Sequence, residues 1–189
     1  MQPVLTEWQS FYVITGSSGA ALTGLMFVVI ALAADRLQRA PKDGLGAFST
    51  PTVAHLAIVL LLASFMSMPL RHLTGLSICL AASAIVGLVF TLRAGVRMVR
   101  LESYAAVVED WIWNVIVPFA AYVGLFVSAA LLAKSEARAL FAIAAIVLVL
   151  LFLGIRNAWD VAVYLVTEQV PNAGAETNAA APQPAGQRK

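Results

Sequence analysis

Long runs of apolar residues, broken by short polar clusters, dominate this chain. Five runs approach the roughly 20 residues that carry a helix across a bilayer. They are Phe11–Ala33, Thr52–Leu70, Thr74–Leu92, Trp111–Ala133 and Ala137–Ile155. The first contains no charged side chain, and Ser49-Thr50-Pro51 offers the second a capping residue with proline in the first turn. Arg71-His72 leaves space for only a tight turn, so the second and third runs predict a hairpin. The expected fold is therefore all-α, a polytopic transmembrane bundle of five spans within residues 1–170.

Composition excludes the soluble alternative. Hydrophobic residues make up 61% of the 189 positions and charged residues 12%, against about 25% charged in a soluble domain. A net charge of +2 is too small to argue for nucleic acid as a partner. The single cysteine, Cys79, lies in an apolar run and reads as a buried, inert thiol. "ALAAD" (Ala31–Asp35) resembles a cleavage site, but no basic residue precedes Phe11, so the first span is expected to be uncleaved.

Basic residues set the expected orientation. With the N-terminus outside, Arg36, Arg39, Lys42, Arg93, Arg97, Arg100, Arg156, Arg188 and Lys189 fall on the inner side. Only Arg71, Lys134 and Arg138 fall outside, which favours a cytoplasmic C-terminus. Trp8, Tyr12, Trp111, Trp113, Trp159 and Tyr164 sit near span ends, where amphipathic rings belong. Between the third and fourth spans, Arg93, Arg97, Arg100 and Tyr104 recur at helical spacing. This predicts a helix that continues from the membrane or lies on its surface, suited to anionic headgroups. The tail 171–189 is rich in alanine and proline, has no large apolar residue after Val170, and predicts disorder.

Small residues mark two spans. In "ITGSSGAALTGLMF", Gly16, Ala20 and Gly24 share a helix face, and Thr15, Gly19 and Thr23 lie beside it. Gly75, Cys79, Ser83 and Gly87 repeat the spacing in the third span. In lipid such faces allow close backbone approach and hydrogen bonds between helices. A phosphate loop is ruled out because Leu25-Met26 stand where Lys and Ser/Thr are required, and Gly16-Ser17-Ser18-Gly19 lacks the spacing of a hydrolase elbow.

Polar residues inside spans are costly and mark candidate function. His55 lies about a turn inside the second span. Asn114, Pro118 and Tyr122 share a face of the fourth, where Pro118 deprives the Asn114 carbonyl of its donor and predicts a kink. Alternating spans bring His55, Glu109, Asp110, Asn114, Arg156, Asn157 and Asp160 to one leaflet, where they are expected to form a polar cluster. Three roles compete for that cluster: structural neutralisation of helix ends, a path for protons, ions or small solutes, and a metal or catalytic site. His72 lies on the opposite side, and no HExxH, CxxC or serine–histidine–acid pattern occurs. No catalytic residue, metal or cofactor is therefore assigned.

Four segments, "FYVITGSSGAALTGLMFVVIAL", "FSTPTVAHL", "EDWIWNVIVPFAAY" and "GIRNAWDVAVYL", resemble in their order a family of small multi-span bacterial inner-membrane proteins of unknown function. The resemblance covers nearly all of the chain except the tail. It implies a multi-pass inner-membrane protein, brings no activity with it, and directs mutation to His55, Asp110, Trp111, Asn157 and Asp160. The expected role is a non-enzymatic packing partner or accessory protein, with lipid and a membrane-protein partner or second copy as neighbours. A small channel or transporter is the alternative, and an intramembrane enzyme ranks third.

Overall fold

A computed structural model describes residues 2–32, 45–69, 72–100, 111–134 and 138–167, and every regular element among them is helical. A short helix α1 (Gln2–Glu7) turns at Trp8 into α2 (Gln9–Leu32). Then come α3 (Leu45–Ser67) and α4 (Leu73–Arg100). A π-helical turn, Ile112–Ile116, leads into α5 (Val117–Ala133), and α6 (Arg138–Thr167) ends the described chain. Four helical segments are long and apolar enough to cross a membrane: Gln9–Leu32, Leu73–Val99, Ile112–Ala133 and Arg138–Val163. Thr52–Ser67 of α3 is apolar but shorter.

Glycine contacts give the relative directions of the helices. A Cβ on Gly16 would lie 2.8 Å from that of Ala63, while one on Gly19 would lie 3.3 Å from the Leu56 carbonyl oxygen. Contacts that descend α3 as they ascend α2 make the two antiparallel. Gly87 faces Tyr122 and Gly95 faces Val115, so α4 and α5 are antiparallel too. Each helix packs on its chain neighbour, and α6 returns to touch α2, which closes a ring. Within that ring α3 and α6 also pack together. That position explains why Leu56, Val59 and Leu62 of α3, and Ile143, Val147 and Leu150 of α6, are fully buried. At the other extreme, Trp8 stacks edge-on against Phe141 at 4.8 Å and ties the start of α2 to the start of α6.

Several boundaries differ from expectation. Leu45 begins α3, so Ser49-Thr50-Pro51 lies within the helix and does not cap it. Proline removes a single backbone donor, and the remaining backbone groups are still best satisfied by continuing the helix. Residues beyond Leu92 continue α4 to Arg100, and α6 runs twelve residues past Ile155 to Thr167. Polar side chains there end the apolar run without breaking the backbone, because arginine, asparagine and alanine all tolerate helix. The expected kink near Pro118 takes the form of the π turn, in which the Val117 N–H donates to the Ile112 carbonyl, five residues back. A wide turn ahead of Pro118 places the proline in the first turn of α5, where its missing N–H has least consequence. The tail 171–189 lies outside the described residues.

Candidate functional site

The buried face of α3 reads Thr52, His55, Leu56, Val59, Leu62 and Ala63, the spacing of a helix seen from its core. It carries the imidazole of His55 into the bundle. There His55 Nδ1 lies 2.7 Å from Tyr122 Oη. The rings are near-parallel, at 29° with centroids 5.7 Å apart. Since α3 and α5 do not pack side by side, the two side chains meet across the interior that α4 and α6 flank. Gly87 of α4 makes room for the phenol, because a Cβ there would overlap the Tyr122 ring. The Thr91 hydroxyl donates back to the Gly87 carbonyl at 2.9 Å, so that stretch of α4 carries its polar groups satisfied.

Both side chains are buried, and each supplies the other with a hydrogen-bond partner that lipid or a methyl group could not. Either the Tyr122 O–H donates to an unprotonated Nδ1, or Nδ1–H donates to the phenol oxygen; the tautomer of His55 selects which. The bond joins two helices that otherwise make little contact.

The other sequence candidates divide between the interior and the rim. Asn157 is buried on α6, and its Nδ2 has no hydrogen-bond partner among the described residues. It follows Gly154 by three residues on the same helix face. Gly154 packs so closely on Leu56 that a Cβ would come within 2.7 Å of Leu56 Cγ, which sets Asn157 at the α3–α6 interface near His55. Arg156, next in sequence, points elsewhere: its guanidinium lies 4.8 Å from the Trp113 ring centroid and 3.5 Å from Asp160 Oδ2. A helix turns about 100° per residue, so adjacent positions 156 and 157 address different neighbours. Asp160 is exposed, and Asn114 is half-buried in the π turn. The structure thus hydrogen-bonds His55 to Tyr122 and Asp160 to Arg156. Glu109 and Asp110 lie outside the described residues.

The small residues also divide. Gly16 and Gly19 meet α3, Ser83 is buried, and Gly87 meets Tyr122, whereas a Cβ on Gly24 or Gly75 would find nothing within 4 Å. Ala20 is exposed and Cys79 half-buried. The hydroxyls turn inward on their own helices: Thr15 donates to the Phe11 carbonyl, Thr23 to Gly19 and Ser83 to Cys79. Back-bonding of this kind satisfies a hydroxyl without a partner helix, so close approach and not hydrogen bonding holds these faces together. Sequence reasoning passed over Gly154 and did not join Tyr122 to His55. The available signal for the latter was the placement of both on polar-bearing faces of the second and fourth apolar runs.

Among the described residues no three His, Cys, Asp or Glu side chains are grouped to hold a metal ion. No protein-family model matches the chain, and no curated protein or solved structure matches it.

Proposed function

We propose that the chain is an integral membrane protein of five spans, in which α3 joins the four longer apolar segments. The observation that carries this reading is the outward display of large apolar side chains on α2, α4 and α6. Ile14 is 65% exposed, Ile78 64%, Phe141 69% and Phe152 67%. Water would penalise such a surface by about 25 cal/mol for each Å², whereas hydrocarbon does not. The 23 residues of α3 reach about 34 Å, enough to span beside its neighbours. Alternation over five spans, with nine of the twelve basic residues on one side, favours an outer N-terminus and an inner C-terminus in a bacterial cytoplasmic membrane. Resistance to alkaline extraction, and reporter fusions active only on the inner side at the C-terminus, test the topology. Release by alkali would defeat the reading.

Within the membrane the chain acts as a non-enzymatic packing partner or accessory protein. The supporting feature is the outer face of α2, where Ser17, Ala20, Ala21 and Gly24 are exposed and lack bulk. Neighbouring helices can approach such a face closely. Photocrosslinking from position 21 in native membrane, followed by pull-down, identifies the neighbour; crosslinks to lipid alone would remove the partner role.

A second reading, a small channel or transporter for protons, ions or solutes, is favoured by the buried His55–Tyr122 contact. Ionisable groups at membrane depth commonly mark a conduction path. Proteoliposome flux decides it: flux equal in the wild type, His55→Ala and empty vesicles would exclude this reading.

A further inference from the structure

One face of α4 changes character along its length. Val86, Phe90, Arg93 and Arg97 succeed one another at spacings of four, three and four residues, which places them on one line along the helix. All four are exposed. The change from apolar to basic falls roughly 20 residues from the start of α4 at Leu73. At 1.5 Å per residue this is about 30 Å, the thickness of the hydrocarbon layer. Beyond it the helix does not fray: Gly95, on the other side, lies 3.5 Å from Val115 through its Cβ position and holds the extension against the π turn.

No Asp or Glu occurs in α4. Among the described residues, neither Arg93 nor Arg97 has an ion-pair partner. Arg156, at the same end of the bundle, is already engaged by Trp113 and Asp160.

We propose that this face of α4 binds an anionic phospholipid, its acyl chain against Val86 and Phe90 and its headgroup phosphate between Arg93 and Arg97. An amphiphile satisfies both halves of the line, whereas a free anion would use only the arginines. Two guanidinium groups one turn apart offer several donors to phosphate oxygens. The proposal rests on the membrane reading above.

The test reconstitutes the full chain in vesicles of equal phosphatidylglycerol and phosphatidylcholine, extracts it in mild detergent and quantifies the lipid retained. Wild type should enrich phosphatidylglycerol roughly thirtyfold, the scale expected of two arginines near a surface. Arg93→Gln/Arg97→Gln should bring the ratio close to one. Lys134→Gln/Arg138→Gln, at the other end of the bundle, should leave it unchanged. Preference retained in the first double variant, or lost equally in the second, overturns the site. A thermal shift with inorganic phosphate in phosphatidylcholine alone, equal to that with phosphatidylglycerol, overturns the lipid in favour of a free anion. Release of the protein by alkaline wash defeats the membrane reading itself. Firm membrane retention with no lipid preference defeats only the site.

Discussion

His55 on α3 and Tyr122 on α5 hydrogen-bond at 2.7 Å across an interior that their own helices do not close by direct packing. The bond couples two elements of the bundle, and both groups are buried. Tyr122→Phe should lower stability by about 1–2 kcal/mol, because it leaves the histidine nitrogen buried and unpaired. Adding His55→Leu to Tyr122→Phe should recover part of that loss. Reversible unfolding in mixed detergent measures both, and strictly additive losses would show that the pair is not coupled.

Gly87 and Tyr122 make a second coupled pair. Gly87→Ala should destabilise the bundle because its Cβ overlaps the Tyr122 ring, and Tyr122→Ala should relieve the clash. Gly75→Ala and Gly24→Ala meet open space, so the chain should be as stable or up to about 1 kcal/mol more stable from helix propensity alone. Gly24→Ile should leave the unfolding midpoint unchanged and weaken only assembly with a partner. A lowered midpoint for Gly24→Ile in the isolated chain would show that α2 packs differently.

The α3–α6 seam offers a size-swap test. Gly154→Ala should cost about 1–3 kcal/mol, the usual range for overpacking, because its Cβ would press into the Leu56 side chain. Leu56→Ala alone opens a cavity, and the double variant should be more stable than the sum of the two losses. Unfolding free energies from the four proteins give the coupling. A coupling near zero would remove this contact from the seam.

Pro118 follows the π turn closely. Pro118→Ala restores an N–H, and should allow ordinary helix through Ile112–Ile116 and rotate Trp113 away from Arg156. Trp113 emission, isolated by subtracting the spectrum of Trp113→Phe, should respond to Arg156→Ala in wild type but not in the Pro118→Ala background. Equal responses would show that the stacking survives without the proline.

Much of the helical plan was legible in the length of the apolar runs. Runs this long have few ways to satisfy their backbone except as helix, so the helices follow almost irrespective of their neighbours. Helix ends were less legible. Beyond Leu92 and Ile155 the residues turn polar yet remain good helix formers, and hydropathy does not distinguish the end of an apolar run from the end of a helix. Of the candidate site, the identities of His55, Asn157, Arg156 and Asp160 stood out as polar groups in apolar surroundings. The i, i+4 spacing of Arg156 and Asp160 marked their pairing, but partners on other helices were not legible, because that choice depends on rotation about each helix axis. Arg156 and Asn157 are adjacent in the chain, yet one meets Trp113 on the rim and the other is buried at a helix interface.

The sequence alone determined that the chain is helical, apolar along most of its length and interrupted by charge at regular intervals, since these follow from local composition and backbone hydrogen bonding. Tertiary structure decided which small residues are used. Gly87 and Gly154 admit a tyrosine and a leucine, while a Cβ on Gly24 or Gly75 would meet nothing within 4 Å among the described residues, although all four look alike in sequence. The reason is physical: a glycine's worth lies in the volume it leaves free, and only the arrangement of the helices specifies what fills it.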